Sequence, residues 1–326
     1  ASKKSLEENL CLSLLKGYPD EYEKNLVNAA FNLYVNLHND PALSAAEAAR
    51  EAGNSPNTAV SSAVAIEGKG RVKAAFDVSR ILLEKFQHSG LKNATDKFDY
   101  KDILNSLTKE EKVLFKAGTI DSKTKLLLER IEELKKNSVF VNFVKDAAGG
   151  KPSTDALLSA IWTTLGWAPL MRKEISKATI TALPWYSKVF STIVGASVPS
   201  EKHTEKKFLG MDASELIKKK SFTEVAFAAL VGREPSKDEL VEFSMLLGLI
   251  ISNGPGTISA QGAKGGVSAD GPEDPQRVQI NKAFIGFLTH TGFAHGGNGY
   301  EAIAFLIERF RDKGLKEPGE RGHGID

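Results

Sequence analysis

Apolar residues recur three and four positions apart along most of the chain, which is the spacing that lines one face of an α-helix. The pattern is clearest in the segments 10–15, 26–37, 72–86, 126–134, 157–165 and 223–231. No long stretch of the sequence alternates apolar and polar residues as a half-buried strand does. The pattern therefore predicts a mainly α fold.

The segments between these helical patterns predict how the chain divides. Residues 90–150 are charged and helical in pattern, with breaks at Gly90, Gly118 and Gly149. Their apolar content fits a small cap domain. The segment 198–207 contains a proline and several charges, so we expect a linker there, with His203 exposed.

An internal repeat relates the two halves of the sequence. Gly17 and Gly232 each follow an apolar helical segment, and His38 and Asn253 stand 21 residues beyond them (38 − 17 = 253 − 232 = 21). Chance similarity between helices could reproduce part of this match. The shared spacing makes duplication the better interpretation.

The repeat gives expected domain boundaries. The copies close with similar helical segments at 81–86 and 305–310. Residues 1–200 form the first copy, with the cap at about 90–150, and residues 201–326 form the N-terminal part of a second copy.

Composition excludes several classes of protein. The 326 residues are 41% hydrophobic and 26% charged with a formal net charge of +2, which is typical of a globular chain and gives no reason to expect nucleic acid or an anionic membrane. A single cysteine allows neither an internal disulfide nor a cysteine-based zinc cluster, and no metal site is predicted. No spanning apolar run and no apolar leader is present, so we expect a cytoplasmic protein.

Three segments carry a more specific pattern. Residues 222–235 read F-x-E-V-A-x-x-x-L-x-G-x-x-P, residues 253–260 read N-G-P-G-x-x-S-A, and residues 295–302 read H-G-G-x-x-x-E-A. In this order the three segments resemble the citrate synthase superfamily, which includes citryl-CoA lyases and the lyase module of ATP-citrate lyase. The family has H-G-P-x-x-S-A and H-G-G-A-N-E at the last two places.

The resemblance implies a helical fold of large and small domains, and chemistry on an acyl-CoA. A carboxylate removes a proton from the α-carbon of the thioester, and hydrogen-bond donors stabilise the charge that develops on the thioester and keto oxygens. Carried over by position, His295 is the thioester-oxygen donor, His38 is the family's substrate-binding histidine, and Asp155 is the catalytic base. His295 could instead be a hydrogen-bonded histidine at a helix start, and Asp155 could be a plain helix cap.

The resemblance also implies a ligand-binding set in the second half of the chain. Asn253 replaces the family's histidine there, and it can donate a hydrogen bond but cannot carry charge. Gly254, Gly296 and Gly297 leave backbone N–H groups open to a ligand, and Lys264 offers one positive charge to a phosphate of coenzyme A. No covalently bound cofactor is implied, because CoA or acyl-CoA enters as a substrate.

Two hypotheses of function follow. The first is an enzyme that joins or cleaves a carbon–carbon bond between an acyl-CoA and a keto acid, as a homo-oligomer or within a larger complex. The second is a catalytically silent paralogue that binds CoA or citrate as a structural or regulatory subunit. Asn253 and the missing H-G-G in the first copy favour the second hypothesis. Lys69 and Arg71, which lie at that place, are either phosphate contacts or solvated charges.

Overall fold

The computed structural model describes residues 4–251, 254–268, 279–292 and 297–314. Seventeen α-helices and one two-stranded sheet lie within these residues, and helix accounts for 68% of them. The mainly α fold predicted from the apolar spacing is confirmed.

Eleven helices precede residue 198. They are α1 (Leu6–Leu15), α2 (Glu21–Asn32), α3 (Pro41–Glu51), α4 (Pro56–Ile66), α5 (Lys73–Phe86), α6 (Lys101–Asn105), α7 (Lys109–Phe115), α8 (Ser122–Glu133), α9 (Val139–Ala147), α10 (Thr154–Met171) and α11 (Lys177–Ala196). Short 3-10 turns add Lys69–Arg71 and Ser200–Lys202.

The remaining elements begin with a small hairpin of β1 (Lys207–Phe208) and β2 (Met211–Asp212), which pair antiparallel. Then follow α12 (Ala213–Lys218), α13 (Phe222–Val231), α14 (Lys237–Ile251), α15 (Ile258–Ser268), α16 (Ile280–Thr289) and α17 (Gly297–Phe310).

The helix boundaries follow from local chemistry. α1 and α13 both begin with a capping box, in which Ser5 pairs with Glu8 and Ser221 pairs with Glu224. Each box satisfies backbone N–H groups that have no partner inside the helix. α13 ends at Gly232, whose positive φ of 82° makes the left-handed cap that glycine tolerates best. The helix stop predicted at this glycine is confirmed.

The second apolar segment ends earlier than its spacing predicts. Residues 26–37 carry the pattern throughout, yet α2 stops at Asn32. Val35 and Leu37 are buried in the loop that follows. Their spacing therefore reflects a buried loop, which apolar periodicity does not distinguish from a helix.

The main core lies around α10. Thirteen of its 18 residues are buried, including Trp162 and Trp167, and it packs against α5, α9 and α11. The Phe31 and Trp162 rings meet edge to face at 5.6 Å, and Phe140 lies 4.9 Å from Trp167. A second cluster joins α3, α4 and α11 with Ile280 of α16. These two clusters fix the loops that precede α3 and follow α4.

Two helix pairs meet through reciprocal contacts. The Asn57 side chain at the start of α4 donates to the Leu288 carbonyl near the end of α16 at 3.1 Å. In return, Asn281 at the start of α16 donates to the Ala65 carbonyl near the end of α4 at 3.4 Å. At the starts of α1 and α13, the Thr223 hydroxyl donates to the Glu7 carboxylate at 2.5 Å.

Candidate functional site

Four charged side chains and one tyrosine gather between α3, α4 and α11. We call Tyr34, Asp40, Glu67, Arg71 and Lys188 the ionic cluster. The two guanidinium nitrogens of Arg71 donate to the two oxygens of Asp40 at 2.8 and 2.5 Å. Burial of Asp40 opposes its ionisation, but these bonds outweigh it and lower the pKa of the carboxyl. The pair is therefore ionised at neutral pH.

The positions of these side chains follow from the ends of helices. Asp40 is the N-cap of α3 and accepts a hydrogen bond from the Ala42 N–H at 2.8 Å. Glu67 is the C-cap residue of α4, and Arg71 belongs to the 3-10 turn that leads into α5. Lys188 comes from the middle of α11 and donates to the Arg71 carbonyl at 3.2 Å. Three helix ends and one helix face thus converge.

Glu67 is the most enclosed member of the cluster, with 0% of its surface exposed. One carboxylate oxygen lies 3.4 Å from Arg71 and accepts from the Thr192 hydroxyl at 3.2 Å. The other oxygen is buried and has no hydrogen-bond partner among the residues that the structure describes. Burial raises the pKa of Glu67, although Lys188 and Arg71 oppose this. Its free oxygen can accept a donor or hold a proton.

Tyr34 extends the cluster towards α8 and α10. The ammonium groups of Lys188 and Lys123 lie over its ring, 5.1 and 5.5 Å from the centroid. Burial raises the pKa of the Tyr34 hydroxyl, and the charge of Asp155 adds to this. Burial lowers the pKa of Lys123. A neutral phenol thus stands among three cations and several carboxylates.

Asp155 lies in the first turn of α10 and is half-buried. It does not cap the helix: the Ser153 hydroxyl is the cap and accepts from the Ala156 N–H at 3.2 Å. Burial raises the pKa of Asp155, Lys188 opposes this, and Asp121 adds to it. A carboxylate with a raised pKa is a better proton acceptor than an exposed aspartate.

His38 lies in the exposed turn between α2 and α3, two residues before Asp40. His203 contacts this turn and is only 4% exposed. The expectation that His203 is exposed was therefore wrong. Nδ1 of His203 accepts from the Leu37 N–H at 3.0 Å, and Nε2 lies 3.0 Å from the Gly195 carbonyl. The ring therefore carries its proton on Nε2, and burial lowers its pKa.

The ligand-binding set predicted in the second half is only partly described. His295, Asn253 and Gly296 lie outside the described residues. Gly254 has a positive φ of 83° and precedes α15, and Gly297 is the first residue of α17. The Lys264 ammonium donates to the Pro255 carbonyl at 3.0 Å, across the same turn.

Two of the glycines near Lys264 serve packing. A Cβ on Gly262 would lie 2.2 Å from the Gly286 carbonyl of α16, and one on Gly266 would lie 2.7 Å from the Lys282 carbonyl. These glycines let α15 and α16 approach closely. Gly256 and Gly265 face open space and remain available for backbone contact with a ligand.

The structure thus brings Asp155 and the turn that carries His38 to one charged region. Nothing in the sequence indicated Glu67, Lys188 or His203 there, and Arg71 was indicated only as either a phosphate contact or a solvated charge. An Asp-Pro pair at a helix start and a glycine-rich turn with two basic residues were the available signals. Their meeting depends on contacts between residues 31 positions and more apart.

No group of three or more histidine, cysteine, aspartate or glutamate side chains that could hold a metal ion is found among the described residues. Nor is any described helix both long and apolar enough to cross a membrane. Comparison with protein-family models, curated proteins and solved structures found no match to this chain.

Proposed function

We propose that this chain belongs with citrate-synthase-type proteins and forms or cleaves a carbon–carbon bond between an acyl-CoA and a keto acid. The observation that carries the proposal is Asp155: a half-buried carboxylate with a raised pKa, close enough to Lys188 for the lysine charge to affect that pKa. Proton removal beside a thioester needs such a base.

In the proposed condensation, the Asp155 carboxylate takes a proton from the α-carbon of the acyl-CoA. The electron pair left on that carbon forms the new bond to the keto carbon, and the keto oxygen takes a proton from a donor. His38 is the proposed donor, and His295 is the proposed hydrogen-bond donor to the thioester oxygen. Water then attacks the thioester carbonyl of the adduct, the C–S bond breaks, and the sulfur leaves as the free thiol of CoA. Cleavage of an adduct that keeps its thioester reverses the bond-forming step.

We further propose that residues 1–200 and 201–326 contain two copies of one fold. Five pairs of helices support this by their order and length: α1, α2, α3, α4 and α5 have 10, 12, 11, 11 and 14 residues, and α13 to α17 have 10, 15, 11, 10 and 14. The reciprocal asparagine bonds between α4 and α16 are those expected across a two-fold axis.

We also propose that the chain associates with a second copy of itself. α14 and α17 carry large apolar side chains that are exposed, among them Leu246, Leu249, Ile303 and Leu306. α5, which corresponds to α17 in the proposed repeat, is covered by α10 and α11. Apolar surface of this extent favours association. The cytoplasmic location stays a prediction.

One observation favours the silent-paralogue alternative. Arg71 is bound to Asp40 and lies 3.4 Å from Glu67, so its charge is already neutralised without a ligand. Asn253, which cannot shuttle a proton, supports the same alternative. A subunit that binds CoA or citrate without turnover would have both features.

Calorimetry with CoA, acetyl-CoA and citrate, together with an assay for release of free CoA thiol from acetyl-CoA and oxaloacetate, tests the proposal. We expect CoA to bind, and His295→Ala to remove turnover while CoA affinity changes little, because its charge stabilisation develops only during reaction. His88→Ala, at an exposed histidine, is the matched control. Binding without turnover would support the silent paralogue, and absence of binding at millimolar ligand would overturn both.

A further inference from the structure

A small cavity lies beside the ionic cluster, between the start of α5, the first half of α11 and the start of α16. Its volume is about 130 Å³. Val72, Phe76, Ala182, Trp185 and Ile280 supply most of its wall. An apolar cavity of about 150 Å³ in another protein is large enough to hold benzene. This one therefore suits a six-membered ring or a short branched chain.

The polar groups that line the cavity are already satisfied. The indole N–H of Trp185 donates to the Glu67 carbonyl at 2.7 Å, so the ring presents hydrocarbon to the cavity. The Thr181 hydroxyl donates to the Ala178 carbonyl at 3.0 Å. A ligand that entered with a polar group first would find no donor there and would lose its hydration. The enclosed part of a ligand must therefore be apolar.

The charged residues that line the cavity, at its mouth, carry one positive charge more than negative charge. Lys69 and Lys73 are both exposed lining residues. Lys73 forms an ion pair with Asp77, which also lines the cavity. Lys69 makes no ion pair with any residue that the structure describes. One ammonium group is thus available beside an apolar interior.

We propose that this cavity binds a small apolar carboxylate, with its hydrocarbon part against Trp185 and its carboxylate on the Lys69 ammonium. Acetate lacks the larger hydrocarbon group that would fill the cavity, and a neutral ring lacks the negative charge that would pair with Lys69. The inference does not rest on the proposed carbon–carbon bond chemistry, because its lining residues are different from Asp155, His38 and His295.

Benzoate is the first probe, with benzyl alcohol as the neutral analogue and acetate as the analogue without a ring. The full chain is titrated with each, and binding is followed by tryptophan fluorescence and by calorimetry. Trp185 is the reporter, because Trp162 and Trp167 belong to the other core cluster. We expect benzoate to bind about fivefold more tightly than benzyl alcohol, the size of one exposed ion pair, and acetate to produce no fluorescence change.

Variants locate the site. Ala182→Leu fills the cavity and should abolish benzoate binding, whereas Ala48→Leu on the exposed side of α3 should leave it unchanged. Lys69→Gln should reduce benzoate affinity to that of benzyl alcohol, with Lys92→Gln at another exposed lysine as the matched control. Phe76→Ala should shift the preference from benzoate to the larger naphthoate. This provides a second test should Ala182→Leu fail to fold.

Three results would overturn the proposal. They are the absence of both heat and fluorescence change with benzoate, equal affinity for acetate and benzoate, and benzoate binding that survives Ala182→Leu. A wild-type chain that binds benzoate but shows no turnover would contradict the proposed enzyme function and leave the cavity proposal in place.

Discussion

Asp155 lies in an environment that disfavours its ionised carboxylate, which a purely structural role would not require. It is half-buried, a serine already caps its helix, and its pKa is raised by burial. A carboxylate whose pKa rises on folding lowers stability as pH rises from its unfolded pKa, near 3.8, through its folded pKa. At neutral pH Asp155 therefore costs stability, which is typical of a residue kept for function.

Asp155→Asn should reduce turnover at least about 100-fold, because the amide cannot accept the proton. It should also raise the melting temperature at neutral pH, because the amide keeps the shape of the side chain without the buried charge. Thiol-release kinetics and thermal unfolding measure the two effects. Asp102→Asn, an exposed aspartate in the first turn of α6, is the matched control and should change neither. A lower melting temperature with unchanged turnover would make Asp155 structural.

His203 should make stability depend on pH. Its folded pKa lies below the ordinary value of 6.5, because burial disfavours the imidazolium and Nδ1 must accept from the Leu37 N–H. The unfolded chain therefore takes up the proton first. Stability should fall as pH drops from about 6.5 to the folded pKa and then level off.

Denaturant unfolding at a series of pH values measures this slope. His203→Gln should remove the histidine's part of it, and His88→Gln should leave it in place. Amide exchange should show the turn around His38 opening first, since Leu37 loses its acceptor when His203 is protonated. An unchanged slope in His203→Gln would disprove this role.

At the scale of single residues, the sequence indicated which residues could carry chemistry more reliably than it indicated what surrounds them. His38 and Asp155 stood out through their neighbours along the chain. His203 was expected to be exposed because it lies in a charged segment. Its burial could not be predicted, since its acceptor role depends on a loop 166 residues away. Glu67 could not be selected, since its enclosure comes from α11, more than 100 residues later in the chain.

At the scale of elements, apolar spacing predicted six helical segments, among them those of α5, α10 and α13, because the spacing repeats with every turn of a helix. The segment 26–37 was the exception, where tertiary burial of Val35 and Leu37 imitates helical spacing. The role of the α15 glycines was also beyond the sequence. Glycines near a binding segment suggested contact with a ligand, whereas Gly262 and Gly266 lie against the backbone of α16.

Two glycines of α15 should respond oppositely to alanine. Gly262→Ala places a Cβ 2.2 Å from a backbone carbonyl of α16 and should cost about 2 kcal/mol through forced separation of the helices. The added Cβ of Gly265→Ala would meet no atom of the described residues within 4 Å, so this variant should gain about 0.5–1 kcal/mol through helix propensity. Chemical denaturation gives both values. Equal effects would mean that α15 and α16 do not pack this closely.

At the scale of the whole molecule, the two halves differ in how they are covered. α5 is enclosed by α10 and α11, and the equivalent α17 in the proposed repeat exposes Ile303 and Leu306. The sequence could suggest the repeat, since a common spacing survives divergence. It could not show which helices would be left uncovered, because that depends on which helices pack together in the fold.

The exposed apolar side chains lead to a prediction about association. Ile303 in α17 is 58% exposed and Leu246 in α14 is 54% exposed, and burying such side chains between two copies contributes about 25 cal/mol for each Å² removed from water. The double variant Ile303→Glu with Leu246→Glu should therefore convert a dimer into a monomer. Light scattering after size-exclusion chromatography measures the mass. Val113→Glu is the control, because Val113 is 68% exposed but lies on α7, away from these helices. A monomeric wild-type chain, or a dimer that persists in the double variant and dissociates in Val113→Glu, would show that α14 and α17 do not form the interface.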